Sequence, residues 1–438
     1  MNALVEQVRA ATRTIAPKLF ERARFGREQL AALQTQRLRA LLSHAAEHSP
    51  FWARRLHGLD LARFELADLV RIEPVSKAEL MAALDDVFTD RALDRKQVEE
   101  SLARTGRDPV PLLGRYLAQA TGGSSGQRGV FVSDAATWAE VSGGSFRAIL
   151  MHAPPRAAGR VRVAMVAAAS AVHSTGLAAA CNDPSGPVEI TSVPVTQSLD
   201  AIAARLDALQ PDSLIGYPTL IGRLAREQAA GHLNLSLRQI VTTSEMLTPE
   251  LRAVIRSGFG VPVLNVFGTT EGLMGGTEPD GDVFTFNSDT CLVEIVDADH
   301  VLITNLANRL QPLIRYRLED RFTRAPDSPA HGHVRAAIEG RCDDILRFGT
   351  IEIHPLVVRA VLLKHPEIAD YQVRQTARGL ELVATCDESL DGSRLCAALR
   401  SALAGAGLPD PEVTLTRADA IPRDAMTGKL KRFVSYRH

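Results

Sequence analysis

Between residues 159 and 272, short apolar runs alternate with amphipathic stretches: "GRVRVAMVA", "LDAIAARLDAL", "DSLIGYP", "TLIGRLAREQAA", "LRQIVTTSE", "PELRAVIRSGF" and "PVLNVFGTTEG". The amphipathic stretches carry apolar residues at helical spacing, and the runs between them have strand length, so strand and helix take turns. That rhythm predicts an α/β fold, a parallel-rich sheet with covering helices. Upstream, "LAALQTQRLRALLSHAAEH" reads as a helix. It stops at "SPFW", where Pro50 disfavours a helical residue before it.

From 283 to 325 the texture changes to short strand-like pieces with tight polar connections, "CLVEIVD", "HVLITNL" and "LIRYRLED". These pieces predict a β-barrel-like part of the same large domain. The stretch "RAPDSPAHGH" reads as an exposed loop. After "EGRCDD" a smaller α+β unit begins, with a helix in "PLVVRAVLLKHP" and strands in "DYQVRQT" and "LELVATC". The expected domains are therefore 1–339 and 340–438.

Composition narrows the function classes. At 438 residues the chain exceeds one compact core, and 45% hydrophobic with 23% charged residues is ordinary for a soluble protein. A net charge of -1 argues against nucleic acid or an anionic membrane as partner. Five cysteines without a CxxC pair, and no secretory N-terminus, predict a reduced, cytoplasmic setting. "VAMVAAASAVHSTGLAAA" carries Ser170, His173, Ser174 and Thr175 and reads as a strand running into a small-residue helix, not a span. A monomer or a homodimer fits the chain.

Candidate chemistry starts at "TGGSSGQRG", residues 121–129. A loop of glycine and hydroxyl residues lets backbone N–H groups converge on an anion such as a triphosphate. The same residues would also make a plain surface turn, and neither GxxxxGK[ST] nor GxGxxG is present. Four later stretches have equally bland alternatives when taken singly. "NVFGTTEG" ends a strand in Thr and Glu, "LIRYRLED" would suit a solvated edge strand, "GRCDDILRFG" an interdomain turn, and "IPRDAMTGKLKR" a basic tail.

In order and spacing these five stretches resemble the adenylate-forming ligases, the superfamily of acyl-CoA synthetases, peptide-synthetase adenylation domains and luciferases. The phenylacetate-CoA ligase branch is the most similar, because "LLSHAAEHSPFWARRL" and "IEPVSKAELMAAL" also look like its N-terminal region. The resemblance implies ATP-dependent activation of a carboxylic acid to an acyl-adenylate, with pyrophosphate released. Transfer to coenzyme A then follows, giving a thioester and AMP. It implies that Thr121, Gly123, Ser124, Ser125 and Gly126 hold phosphates, with Ser244, Glu245, Phe267, Gly268 and Thr269 also at the ATP. Phe267 would lie against adenine, Thr270 would contact the α-phosphate and Glu271 would bind Mg2+. Asp320 would take the ribose hydroxyls, with Arg317 and Arg341 near the nucleotide and the hinge at Asp343. Lys429 would bridge substrate carboxylate and α-phosphate. It is one of only six lysines among 50 basic residues, and a fixed cation there can lower a barrier by ~3 kcal/mol.

The acyl pocket implied by the resemblance is lined by His173, Tyr217, Met274 and Gly275, with Ser244 nearby; alanines and glycines around 167–180 leave space for a ring, so an aryl or arylacetic acid is expected. His173 and Tyr217 have ordinary packing readings as well. The chain departs from the pattern at Gln127, Arg128 and Gly129, where Pro and often Lys or Thr are usual. It departs again at Phe267, where Tyr is common, and at Cys342. Only Cys291 falls where some relatives carry a Cys/His cluster, so no structural zinc is expected. Two further readings share the ATP motifs: transfer of the acyl group to a carrier-protein thiol or an amine, and a non-catalytic nucleotide-binding relative.

Overall fold

The computed structural model describes residues 3–121, 128–153, 159–298, 300–341, 344–353, 355–362, 364–365, 367–424 and 427–436. Gly123, Ser124, Ser125, Gly126 and Asp343 lie outside the described residues. The chain divides into two compact units, Met1–Glu339 and Gly340–His438.

In the first unit, β1 (Tyr116–Ala120) and β2 (Val130–Asp134) form an antiparallel hairpin. The main sheet contains β3 (Val161–Ala167), β4 (Val188–Pro194), β5 (Ser213–Gly216), β6 (Gln239–Thr243), β7 (Val263–Gly268), β8 (Met274–Thr277) and β9 (Val283–Phe286). A separate three-stranded sheet comprises β10 (Cys291–Asp297), β11 (His300–Asn305) and β12 (Tyr316–Leu318). β13 (Asp320–Arg324) and β14 (Arg335–Arg341) return to the main sheet, giving the order β13-β14-β9-β8-β7-β6-β5-β3-β4. β3 to β7 are mutually parallel, and β8 and β9 extend the sheet antiparallel.

The local causes are readable. β3 is "VRVAMVA", a near-continuous apolar run suited to a parallel strand covered on both faces. Helices Pro218–Ala229 and Pro249–Phe259 each start with Pro, whose missing N–H costs nothing there, and the Thr248 hydroxyl accepts the Leu251 N–H. The core of this half gathers Val163–Ala167, Ile202, Leu214, Ile215, Leu224, Ile240 and Leu264. A second core joins Leu38, Leu41 and Trp52 of the N-terminal helices, and Phe88, to Phe286, Ile303, Tyr316 and Phe322.

Three expectations change. Among the described residues no closed barrel forms. The pieces between 283 and 325 are strands, but they go to two different sheets, because short-range alternation shows which face is buried and not which strand is the neighbour. The helix Arg27–His48 does stop at "SPFW", and the same residues also start the next one: Ser49 caps Trp52 and Pro50 opens the helix Pro50–Arg55. The loop "RAPDSPAHGH" is largely exposed but ends in His333, which is buried beside Asp289 and Arg22. None of the helices among the described residues is long and apolar enough to cross a membrane.

The second unit has a hairpin of β15 (Leu346–Phe348) and β16 (Ile351–Ile353). Its four-stranded sheet, in the order β19-β18-β17-β20, contains β17 (Ile368–Gln375), β18 (Gly379–Cys386), β19 (Glu412–Arg417) and β20 (Phe433–Val434). Helices Pro355–Leu362 and Gly392–Gly405 pack against each other over a core of Val373, Leu382, Leu395, Leu399 and Phe433.

Candidate active site

The parallel strands lie in the order β4-β3-β5-β6-β7, so the chain leaves β3 to one side for β4 and continues on the other side with β5. Ligands of open α/β sheets bind at the carboxyl ends of the strands beside such a switch point. Four groups of candidate residues sit at those ends. His173 follows β3, Tyr217 follows β5, Ser244 and Glu245 follow β6, and Thr269, Thr270 and Glu271 follow β7. The β1–β2 hairpin joins the same edge, because the Ala120 N–H donates to the Val172 carbonyl.

The turn after β7 is held from several sides. The Gly272 N–H closes it on the Thr269 carbonyl, and the Leu273 N–H donates to Thr269 Oγ1 at 3.2 Å. Glu271 is buried; its carbonyl accepts from Asn305 Nδ2 at 2.8 Å, and its Oε1 accepts from the Tyr316 hydroxyl at 3.2 Å. A buried carboxylate aimed by a phenol and fixed by its own backbone is a pre-set oxygen donor. Asn305 and Tyr316 are positioning residues that sequence reading missed. Tyr316 lies inside "LIRYRLED", but its partner is 45 residues away. Arg315 of that stretch is buried and clasps Glu294 through Nε and Nη2, while Arg317 is exposed.

Phe267 is half-buried, and its ring meets Phe284, Phe286 and Phe322 edge-on at 6.2, 6.0 and 5.7 Å. Edge-to-face packing of this kind fixes the ring plane at little conformational cost. Opposite it on β8 stands Gly275, where an added Cβ would come within 2.9 Å of the Phe286 ring. Met274 pairs with Gly268 and is buried, its sulfur 2.7 Å from where a Gly268 Cβ would be. Asp320, also buried, is two residues before Phe322 and so shares its face of β13.

Other candidates already have partners. Tyr217 is fully buried and its oxygen accepts the Ala168 N–H at 3.2 Å, so it braces β5 against the end of β3. Glu245 accepts from the Thr219 hydroxyl at 2.6 Å and its N–H at 3.3 Å, at the start of helix Pro218–Ala229. A carboxylate suits that position, since the first-turn amides lack helical acceptors. Ser244 beside it has φ +68°, a left-handed conformation that costs a serine ~1–2 kcal/mol. His173 is half-buried at the start of helix Ser174–Ala180. Thr121 exchanges two bonds with Gly129, N–H to carbonyl and Oγ1 from N–H, each 2.9 Å.

In the second unit, Lys429 is half-buried on a turn built by Asp424. That side chain accepts from the N–H and hydroxyl of Thr427 at 2.7 and 2.8 Å, and the Asp424 N–H donates to the Lys429 carbonyl. Leu430 anchors the turn against Val383 and Ile421. Arg432 stacks on Tyr371 and pairs with Asp370 at 3.1 Å, tying the segment to β17. Arg341 is the last residue of β14.

Sequence comparison decides the kinship. The chain is 27% identical over 384 residues to a phenylacetate-coenzyme A ligase of Thermus thermophilus, spanning 79% of this chain and 78% of the relative. It is 26% identical over 379 residues to the corresponding Escherichia coli ligase, spanning 80% of each. The chain is a homologue of the phenylacetate-coenzyme A ligases. No known family profile matches it. Among solved structures, a 2-hydroxyisobutyryl-CoA ligase bound to 2-HIB-AMP superposes with a TM-score of 0.69 at 18% identity, covering 92% of this homologue and 89% of that chain. An anthranilate CoA ligase bound to anthranoyl-AMP reaches 0.50 at 15% identity, covering 72% and 65%. This phenylacetate-coenzyme A ligase homologue thus has the fold of the adenylate-forming CoA ligases.

Proposed function

We propose that the protein is an AMP-forming acid–thiol ligase. The carboxylate of a small acid attacks the α-phosphorus of ATP, the bond to the bridging oxygen breaks, and pyrophosphate leaves with that electron pair. The thiol of coenzyme A then attacks the acyl carbon, loses its proton and displaces AMP. The observation that carries the reading is the Thr269–Glu271 turn at the carboxyl end of β7, next to the half-buried Phe267 ring and on the same sheet edge as the switch point between β3 and β5.

In this reading Phe267 offers a ring face to adenine and Asp320 accepts from the ribose hydroxyls. Thr270 contacts the α-phosphate, and Thr121, with Gly123, Ser124, Ser125 and Gly126, binds the outer phosphates. Glu271 fits Mg2+, a hard cation usually held by one or two carboxylates together with substrate phosphates. The ion, when bound, neutralises phosphate charge. The residues' own part is positional, because Tyr316 and Asn305 hold Glu271 in one orientation before substrate arrives. Lys429 supplies a cation as charge develops on the attacking and phosphoryl oxygens. Asp343 is the hinge for alternation between the two half-reactions. Tyr217 and Met274, both buried, form walls of the acyl pocket beside His173 and Gly275, and the acid is aromatic or arylacetic.

The test is acid-dependent pyrophosphate release over a panel of aryl, arylacetic and small aliphatic acids, with and without coenzyme A. Release with an aromatic acid and a thioester product is the expected result. Release without thioester would transfer the acyl group to a carrier-protein thiol or an amine. No release with any acid would remove the catalytic reading.

A further inference from the structure

Two side chains hold Glu271, Tyr316 through its carboxylate and Asn305 through its carbonyl, and a single residue joins these two arms. Arg315 immediately precedes Tyr316, and its N–H donates to Thr304 Oγ1 at 3.0 Å, next to Asn305 on β11. The spacing between the arms therefore follows from where Arg315 sits.

That place is fixed from three directions. Nε and Nη2 donate to the Glu294 carboxylate on β10 at 3.1 and 2.9 Å, and Nη1 donates to the Ile72 carbonyl at 2.7 Å. The backbone is gripped as well, since the Arg315 carbonyl accepts the Val75 N–H at 3.0 Å and the Val75 carbonyl accepts the Arg317 N–H at 2.9 Å. Arg315 and Thr304 are both buried. A guanidinium suits the task because its planar fork answers a carboxylate with parallel N–H groups and keeps a further donor for a carbonyl; lysine, a point charge, has no such fork. The residue is also strained. Its φ of +47° is a left-handed conformation that L-residues rarely adopt, and such backbone persists only where its surroundings over-determine it. An ion pair by itself asks for no left-handed backbone. The turn at Arg315 leads the chain into β12 with the Tyr316 hydroxyl 3.2 Å from Glu271 Oε1.

We infer that Arg315 is a positioning residue for Glu271: gripped by Glu294 and Ile72, it fixes Tyr316 and Asn305 relative to each other and so sets the aim of the carboxylate. The inference rests on the ligase reading, in which Glu271 meets the Mg2+ of bound ATP, and deepens it by extending the support of that carboxylate to Glu294 and the segment 72–75.

Isothermal titration calorimetry on the full chain separates this role from a structural brace. Two ligands are titrated, ATP with Mg2+, and AMP in EDTA, which meets the adenine and ribose groups with no metal. R315K keeps the charge but loses the fork, and Y316F deletes only the hydroxyl. Each is expected to weaken MgATP binding about fivefold, the worth of one hydrogen bond, and to leave AMP binding unchanged. The double variant should fall well short of the product of the two, about 25-fold, because both changes act on one carboxylate. T304V cuts the bond from the Arg315 N–H without disturbing a charge, and carries the same test if R315K does not fold; it too should weaken MgATP and spare AMP. A wild type that binds neither nucleotide would refute the ligase reading itself. A wild type that binds both, with variants that weaken the two ligands alike, multiply in combination or change nothing, overturns the role of Arg315 and leaves that reading standing.

Discussion

Gly272 closes the turn that presents Glu271, and alanine there meets two separate obstacles. Its φ of +105° is a conformation L-residues rarely adopt, and left-handed backbone costs ~1–2 kcal/mol. The second obstacle is Asn305, since the new Cβ would lie 2.2 Å from its Nδ2, so the amide must retreat by about an ångström. Asn305 cannot do so freely. Its Nδ2 donates to the Glu271 carbonyl, and its Oδ1 accepts from the N–H groups of Ala307 and Asn308 at 3.0 and 3.1 Å. Each bond lost there costs about 1 kcal/mol. With one or two of them strained, Gly272→Ala should destabilise the first unit by about 3 kcal/mol. Gly260→Ala is the control: φ is +72°, nothing lies within 4 Å of the added Cβ, and only the backbone term of about 1 kcal/mol applies. Both tryptophans, Trp52 and Trp138, lie in the first unit. Urea unfolding followed by tryptophan fluorescence therefore reports on that unit. Acid-dependent pyrophosphate release by Gly272→Ala should also fall by at least about tenfold, since an ångström of misplacement can cost more than that. If Gly272→Ala costs no more than Gly260→Ala, the clamp on Glu271 does not exist as described.

Two further predictions follow from the two units. Lys429→Ala should abolish adenylate formation while sparing thioester formation from a supplied acyl-adenylate, checked by assaying the half-reactions separately; equal loss of both would remove its assigned role. The first unit should also lose stability in acid through the buried cluster around Arg147. Burial holds the His333 imidazole below its usual 6.5 despite the Asp289 charge, and its Nδ1 already accepts the Ser288 N–H while Nε2 donates to the Arg22 carbonyl. A depressed folded-state value stabilises above the unfolded value and is lost as pH falls, so the thermal midpoint should begin to drop below about pH 6.5. His333→Gln should flatten that part of the profile. Asp289 acts lower: burial pushes its carboxyl up, but the Arg147 charge and hydrogen bonds outweigh this and hold it below the usual range. Its stabilisation fades only below about pH 4.

The fold was legible where local rules decide it. "GRVRVAMVA", "DSLIGYP", "LRQIVTTSE" and "PVLNVFG" became β3, β5, β6 and β7, and the amphipathic stretches between them became helices, because burial on both faces or on one leaves its period in the sequence. Strand partnership did not show. β10 to β12 separate from the main sheet while β13 and β14 rejoin it, and nothing in the alternation of "CLVEIVD" distinguishes those fates. At the candidate site, motif spacing pointed to Phe267, Thr270 and Glu271, and the fold gathers them at one sheet edge. It could not point to Asn305 or Tyr316, whose contribution exists only through contacts 34 and 45 residues distant. Glu245, expected at the nucleotide, also accepts from Thr219 at the start of a helix, a contact 26 residues distant that no local pattern announces.

The central claim is that this chain activates an acid through an adenylate. Exchange of labelled pyrophosphate into ATP, with an aromatic acid and without coenzyme A, measures that step alone. Acid-dependent exchange, with AMP as the nucleotide product once coenzyme A is added, is the predicted result. Absence of exchange with every acid, or formation of ADP and phosphate instead, would contradict it.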